Sequence, residues 1–200
     1  MKNIIIKIVL AIVIIILAYF VVESILEPVR FKKERNIREL EVIQQLKDIR
    51  TSQMIYRTIN NKYTASFDTL IEFLHTGEIP VVNIIPDPED TTFTKTINDT
   101  IGYINVGDSL FGKRPNFVIE DIRFIPFTDT IEFEMNAGEI EQGRVKVNVL
   151  EISALYEYFL RGLDRQLIIN LIKSKKEIDR FPGLKLGSMT EASTDGNWEF

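Results

Sequence analysis

Three features of this 200-residue chain predict an α+β fold. A run of apolar residues, Ile4 to Val22, is broken only by Lys7. An amphipathic stripe with helical spacing then extends to Tyr63, and beyond Pro80 the period shortens to the alternation of strands. The expected architecture is an N-terminal transmembrane helix continuing into a long amphipathic helix, packed on an antiparallel sheet, with a C-terminal helix after the strands. Residues 1–3 form a short tail, 4–22 the anchor, 23–41 a charged juxtamembrane helix and 42–200 a single α+β domain.

The anchor follows from length and composition. Nineteen residues at ~1.5 Å each span ~28 Å, about the thickness of a bilayer's hydrocarbon core. No charge follows Lys7 until Glu23, and Tyr19 and Phe20 lie at the far end, where aromatic rings favour the headgroups. A cleaved signal peptide is the rival reading. It fits less well, because the apolar segment is longer than a signal core and Ala18 to Ser24 offers no small-x-small cleavage site. The lipid bilayer is thus the first expected partner.

Beyond Val22 stand all 29 acidic residues and every basic one except Lys2 and Lys7, a net charge near −7. Nucleic acid is not an expected partner, since it would need clustered Lys and Arg. The chain has no cysteine, which rules out disulfides, thiolate metal sites and cysteine nucleophiles.

Two signals oppose each other on orientation. Lys2 and Lys7 precede or enter the anchor, whereas Arg30, Lys32, Lys33, Arg35 and Arg38 follow it; counting them puts the domain in the cytoplasm. Against this, five of the eleven Asp residues are followed by Ser or Thr and then an aliphatic residue or Thr. Average composition gives on the order of one such match or fewer. The pattern resembles the O-glycosylation sequon some Gram-negative bacteria use on exported proteins, and would place acceptors at Thr69, Thr91, Thr100, Ser109 and Thr130. The same dipeptides also suit turns and caps. The expectation is an inner-membrane protein with a periplasmic domain.

Pro28 would kink or punctuate the helix just past the membrane. Val42, Leu46, Ile49, Tyr56 and Tyr63 then mark a buried stripe widened by Ile43, Ile55 and Ile59. Lys47, Asp48, Arg50, Arg57 and Asn61 take the other face, and Glu34, Arg35, Arg38, Glu39 and Glu41 read as a solvated section. Ser66 caps a short helix buried through Phe67, Leu70, Ile71 and Leu74, which stops at Gly77. Strands are expected at Pro80–Ile85, Phe93–Ile97, Gly102–Val106, Asp121–Phe127, Ile131–Met135 and Arg144–Ile152, with turns at Asn136-Ala137-Gly138 and Glu141-Gln142-Gly143. Asp164 caps a last helix whose buried face is Leu167, Ile168, Leu171, Ile172 and Ile178. A polar tail follows Pro182-Gly183.

The stretch from Leu46 to Tyr56, then Asn61-Lys62-Tyr63-Thr64 and Phe67 to Leu74, resembles the helix-to-loop region of type II secretion pseudopilins and type IV pilins. That resemblance, over roughly residues 4–75, implies a pilin-like fold. The processing Gly, the Phe after it and the early membrane-helix Glu of pilins have no counterparts here, so prepilin processing is not expected. Glu27 to Phe31, Tyr63 to Leu70, Arg123 to Phe127 and Pro182 to Ser188 are similar to an uncharacterised bacterial single-pass membrane-anchored family, which implies no activity.

No catalytic motif stands out and no cofactor is expected. His75, the only histidine, suits a helix C-terminus better than a catalytic site. Asp87, Glu89 and Asp90 are a calcium candidate, though flanking Pro86 and Pro88 favour a solvated turn. Glu132, Glu134, Glu139 and Glu141 alternate with apolar residues, so they belong on a wet face. Phe124, Phe127, Phe133, Tyr156, Tyr158 and Phe159 read as core. Trp198 and Phe200 are the candidate partner contacts. The expectation is a non-enzymatic scaffold subunit of a cell-envelope assembly, contacting other anchored proteins or itself. A tethered binding module or a cytoplasm-facing adaptor are the alternatives.

Overall fold

The α+β class holds in the computed structural model, which describes residues 2–86 and 96–199. One helix, α1, runs unbroken from Lys2 to Asn60, straight through Pro28. Its apolar first part is exposed, and it is the helix among the described residues that is long and apolar enough to cross a membrane. Its second part is stitched into the domain. Val42, Leu46 and Ile49 lose all solvent contact, which contributes about 1.5–3 kcal/mol each. Asn61, at φ 57°, ends the helix in the left-handed conformation that Asn tolerates, and its N–H reaches Arg57 O at 2.8 Å.

Three parts of α1 differ from the sequence expectation. Ile59, near the helix end, is 45 % exposed rather than part of the buried stripe. Asp48 is only 7 % exposed rather than on the outer face, because Arg114 arrives from a later loop to pair with it. The early charged section is not simply solvated. Arg38 donates to Phe159 O at 3.0 Å and Arg161 O at 2.9 Å, and Phe31 already packs on the core.

Helix α2, Phe67–Thr76, is capped by the Ser66 hydroxyl, which accepts from Thr69 N. It buries Phe67, Leu70 and Leu74 against α1. Strand β1, Glu78–Pro86, pairs antiparallel with β2, Thr96–Asn105, as a separate two-stranded ribbon. Gly102–Val106 is therefore not a strand of its own. It continues β2, and Val106 already opens α3, Val106–Phe111, because Asn105 Oδ1 accepts from Asp108 N and starts a helix there.

Asp121–Phe127 is not a strand either. Ile119–Arg123 forms a 3-10 turn, Pro126 cannot donate to a ladder, and Phe127 sits at φ 64° with its ring half exposed. The main sheet is β3-β4-β5, with β3 at Glu134–Gln142, β4 at Val145–Leu155 and β5 at Gly183–Gly187. Asn136-Ala137-Gly138 lies inside β3, with Ala137 opposite Leu150. The hairpin turns instead at Gly143-Arg144, both at positive φ (59° and 69°), the pairing whose twist matches the strands. Met135, Ile152 and Leu186 form one buried row across the three strands. Glu132, Glu134, Glu139 and Glu141 are exposed.

After β4 come a single helical turn, α4 (Tyr156–Phe159), and helix α5 (Arg165–Lys176), capped by Asp164 Oδ1 on Leu167 N at 2.7 Å. The apolar face of α5 is only half-buried, and Ile178 lies beyond its end at 59 % exposure. What read as a polar tail is β5 plus a docked terminus.

Candidate functional site

A cleft of about 560 Å³ opens where α1, α4, β5 and the C-terminal tail meet. Helix α1 supplies Arg35, Glu39 and Ile43, four residues apart and so on one face. Arg35 Nε lies 3.6 Å from Glu39 Oε1. Tyr156, the first residue of α4, is buried at the base. Burial pushes its phenol well above the ordinary value, and Glu39 beside it adds to the shift.

The opposite wall is Phe181, Gly183, Leu184 and Lys185. Strand β5 can lie there because Gly183 has no side chain. A Cβ at that position would stand 2.1 Å from Ala154 O. The tail closes the cleft by hydrogen bonding to the outer edge of β5. Asn197 N donates to Lys185 O at 2.8 Å, Lys185 N to Asn197 Oδ1 at 3.1 Å, and Asn197 Nδ2 to Gly183 O at 3.0 Å. Arg50, on α1, holds the far end through Thr194 O at 3.2 Å and Glu199 Oε1 at 3.1 Å. Gly196 lets the Trp198 ring fold back, since a Cβ there would meet the ring at 2.3 Å.

The lining is basic. Arg35, Lys175, Arg180 and Lys185 face one carboxylate, Glu39. Lys185 is taken by Glu151 at 3.3 Å, whereas Lys175 and Arg180 have no ion pair among the described residues. The Trp198 indole N–H is buried and lacks an acceptor among the described residues.

Tail docking carries its own pH dependence. The Gly196 N–H, and after it the Arg50 guanidinium, hold the Glu199 carboxyl below the usual carboxylate range. A depressed carboxyl stabilises the docked tail above its unfolded pKa, and that contribution disappears as pH falls through the folded one. Acidification into and below the carboxylate range is therefore expected to loosen the tail end around Glu199, while the Asn197 bonds to β5 persist. Trp198 is the only tryptophan, so a red shift of its emission reads the loosening, and Glu199→Gln should remove most of the pH response.

A second surface stands apart. Among the described residues the β1-β2 ribbon pairs with no third strand, and Tyr103 and Ile101 are 68 % and 66 % exposed, beside exposed Val81, Val82 and Ile104. Strand β1 includes Pro80 and Pro86, which cannot donate along an edge, whereas β2 has no proline.

Of the expected site residues, Trp198 lies in the cleft, half-buried and packed on the core. Phe200, Asp87, Glu89, Asp90 and Thr91 lie outside the described residues. The hydroxyl-bearing residues Thr69, Thr100, Ser109 and Thr130 are all exposed but scattered over α2, β2, α3 and the loop before β3. Asp68 also pairs with Arg123 at 2.9 Å. His75, in the last turn of α2, contacts Glu120 at 2.9 Å. Sequence reading missed Arg35, Glu39, Lys175 and Arg180 as neighbours. The four-residue spacing of Arg35, Glu39 and Ile43 could have suggested one face, but nothing in the order of residues joins it to Lys175 or Arg180. No family model, curated protein or solved structure matches the chain.

Proposed function

We propose that the chain is a membrane-anchored structural subunit of a cell-envelope assembly, acting by position rather than by catalysis. The observation that carries this reading is the isolated β-ribbon. Exposed Val81, Val82, Ile101, Tyr103 and Ile104 beside a proline-free outer edge are costly to leave uncovered, and strand addition from a neighbouring anchored subunit would cover them. The anchor fixes that subunit's height. Phe31, the first residue of α1 that packs on the domain, stands nine residues past Val22, ~14 Å along the helix, so the domain sits just beyond the headgroups. A long helix laid against a small antiparallel sheet supports the pilin-like reading.

The experiment exploits the cysteine-free chain. Tyr103→Cys, oxidised or cross-linked in intact membranes, is expected to give one discrete higher-mass species, with another copy or another anchored protein. Adding Ile101→Asp should abolish it. A monomer at every cross-linker length would overturn the assembly reading.

The domain is placed in the periplasm, on the strength of the Asp-Ser/Thr pattern. Ala192→Cys, at an exposed tail position, should react with a membrane-impermeant maleimide once the outer envelope is opened. Protection until the inner membrane is lysed would turn the reading into a cytoplasm-facing adaptor. The basic cleft favours a second reading, a tethered binding module.

A further inference from the structure

The geometry points to an anion site in the cleft between α1, β5 and the tail, selective for a small organic phosphate with a flat or apolar body. Lys175 and Arg180 are cations without an ion-pair partner among the described residues, and Arg35 is matched only by a carboxylate at 3.6 Å. A single carboxylate ligand would leave one of the two free cations unmatched. A phosphate monoester, near −1.5 to −2 at neutral pH and with three acceptor oxygens, matches both. Charge alone would accept inorganic phosphate. The walls argue for more, because Ile43, Leu184, Phe181 and the Trp198 ring give the ligand's body an apolar surface. Trp198, which lines the same cleft, has a buried indole N–H without an acceptor among the described residues.

Phosphate could come from the bilayer or from solution. Arg35 stands thirteen residues past Val22, ~20 Å along the helix, whereas headgroups reach only about 5–7 Å beyond the hydrocarbon edge. A lipid phosphate in its plane falls short of the cleft, so the ligand is soluble or extends from a longer carrier. The site is independent of the ribbon and would serve the chain whether or not it assembles.

The test uses the full chain in nanodiscs of phosphatidylcholine, with Trp198 emission as the readout and phenyl phosphate as the probe. A saturable change is expected, at a midpoint at least tenfold below that of inorganic phosphate. Lys175→Gln combined with Arg180→Gln should raise the phenyl phosphate midpoint tenfold or more, while Lys146→Gln, away from the cleft, leaves it unchanged. Neither side chain of the double variant makes an ion pair among the described residues, so its thermal melt should match the parent's. Absence of a saturable response, or an unchanged midpoint in the double variant, would overturn the site. Phosphatidylglycerol nanodiscs that shift the emission without added probe, and weaken its binding, would overturn the soluble source but keep the phosphate site. Failure here leaves the Tyr103 cross-link unaffected, so the two readings fall separately.

Discussion

Gln53→Ala is expected to destabilise the domain by about 3 kcal/mol, the largest effect of any single polar substitution proposed for this chain. Gln53 is completely buried on α1, yet its amide is fully used. Oε1 accepts from Thr64 N at 3.1 Å, and Nε2 donates to Thr64 O at 2.7 Å and to Met135 Sδ at 3.1 Å. One side chain thus fixes the turn after α1 and touches β3. Truncation leaves two backbone groups of Thr64 unpaired, at about 1 kcal/mol each because Thr64 is only half-buried, and adds a cavity of similar cost. For a chain of this size the melting temperature should fall by about 6–12 °C. Gln53→Leu separates the causes. It refills the space but restores no hydrogen bond, so it should still lose about 2 kcal/mol. A Leu variant as stable as the parent would show that volume, rather than the clamp on Thr64, is what matters.

Removing Arg114 is expected to cost about 2 kcal/mol. Arg114 Nη1 meets Asp48 Oδ2 at 2.7 Å and Nη2 meets Oδ1 at 2.9 Å, a two-point pairing, and the hydrogen bonds to Asp48 raise the Arg114 pKa further. Gln44 Nε2 adds a third donor at 3.0 Å. Stranding a buried carboxylate costs about 3–5 kcal/mol in a dry interior. Arg114 is 43 % exposed, so water can reach the vacated position and the cost falls below that range, to about 2 kcal/mol. The guanidinium also lies over the stacked rings of Phe111 and Phe117, so Arg114→Met, which keeps the contact with the rings, isolates the charge. Asp48→Asn with Arg114→Met should recover part of the loss. A chemical denaturation series on the four proteins measures the coupling, and strict additivity would mean that the pair contributes nothing.

These two residues show what one-dimensional reading could and could not reach. The buried stripe of α1 was legible because helical spacing repeats along the chain, and Val42, Leu46, Ile49, Tyr56 and Tyr63 are all buried. The caps at Ser66 and Asp164 were legible too, since a cap is a contact over three residues. Asp48 was not, because its partner lies sixty-six residues away and a lone acidic residue in an amphipathic helix looks solvated. Asn136-Ala137-Gly138 has turn chemistry, but its pairing with β4 outweighs that preference and moves the turn to Gly143-Arg144. Strand β5 was invisible for a related reason. Five residues with a glycine at each end carry little strand signal, and only the edge of β4 selects them.

The candidate site divides along the same line. Trp198 was marked out by its composition alone, as a large aromatic residue in a polar terminus. Its setting was not, since the cleft is assembled from residues 35 to 198, joined only where β5 and the tail close on α1.

Composition, and contacts within a few residues, were enough to give an N-terminal helix long and apolar enough to cross a membrane, its amphipathic continuation, the α+β class and a chain without thiols. The tertiary structure alone decided which charges are buried, which strands pair and where basic side chains converge. Those outcomes depend on contacts between distant segments, whose loop-closure entropy is offset only once the whole core has formed.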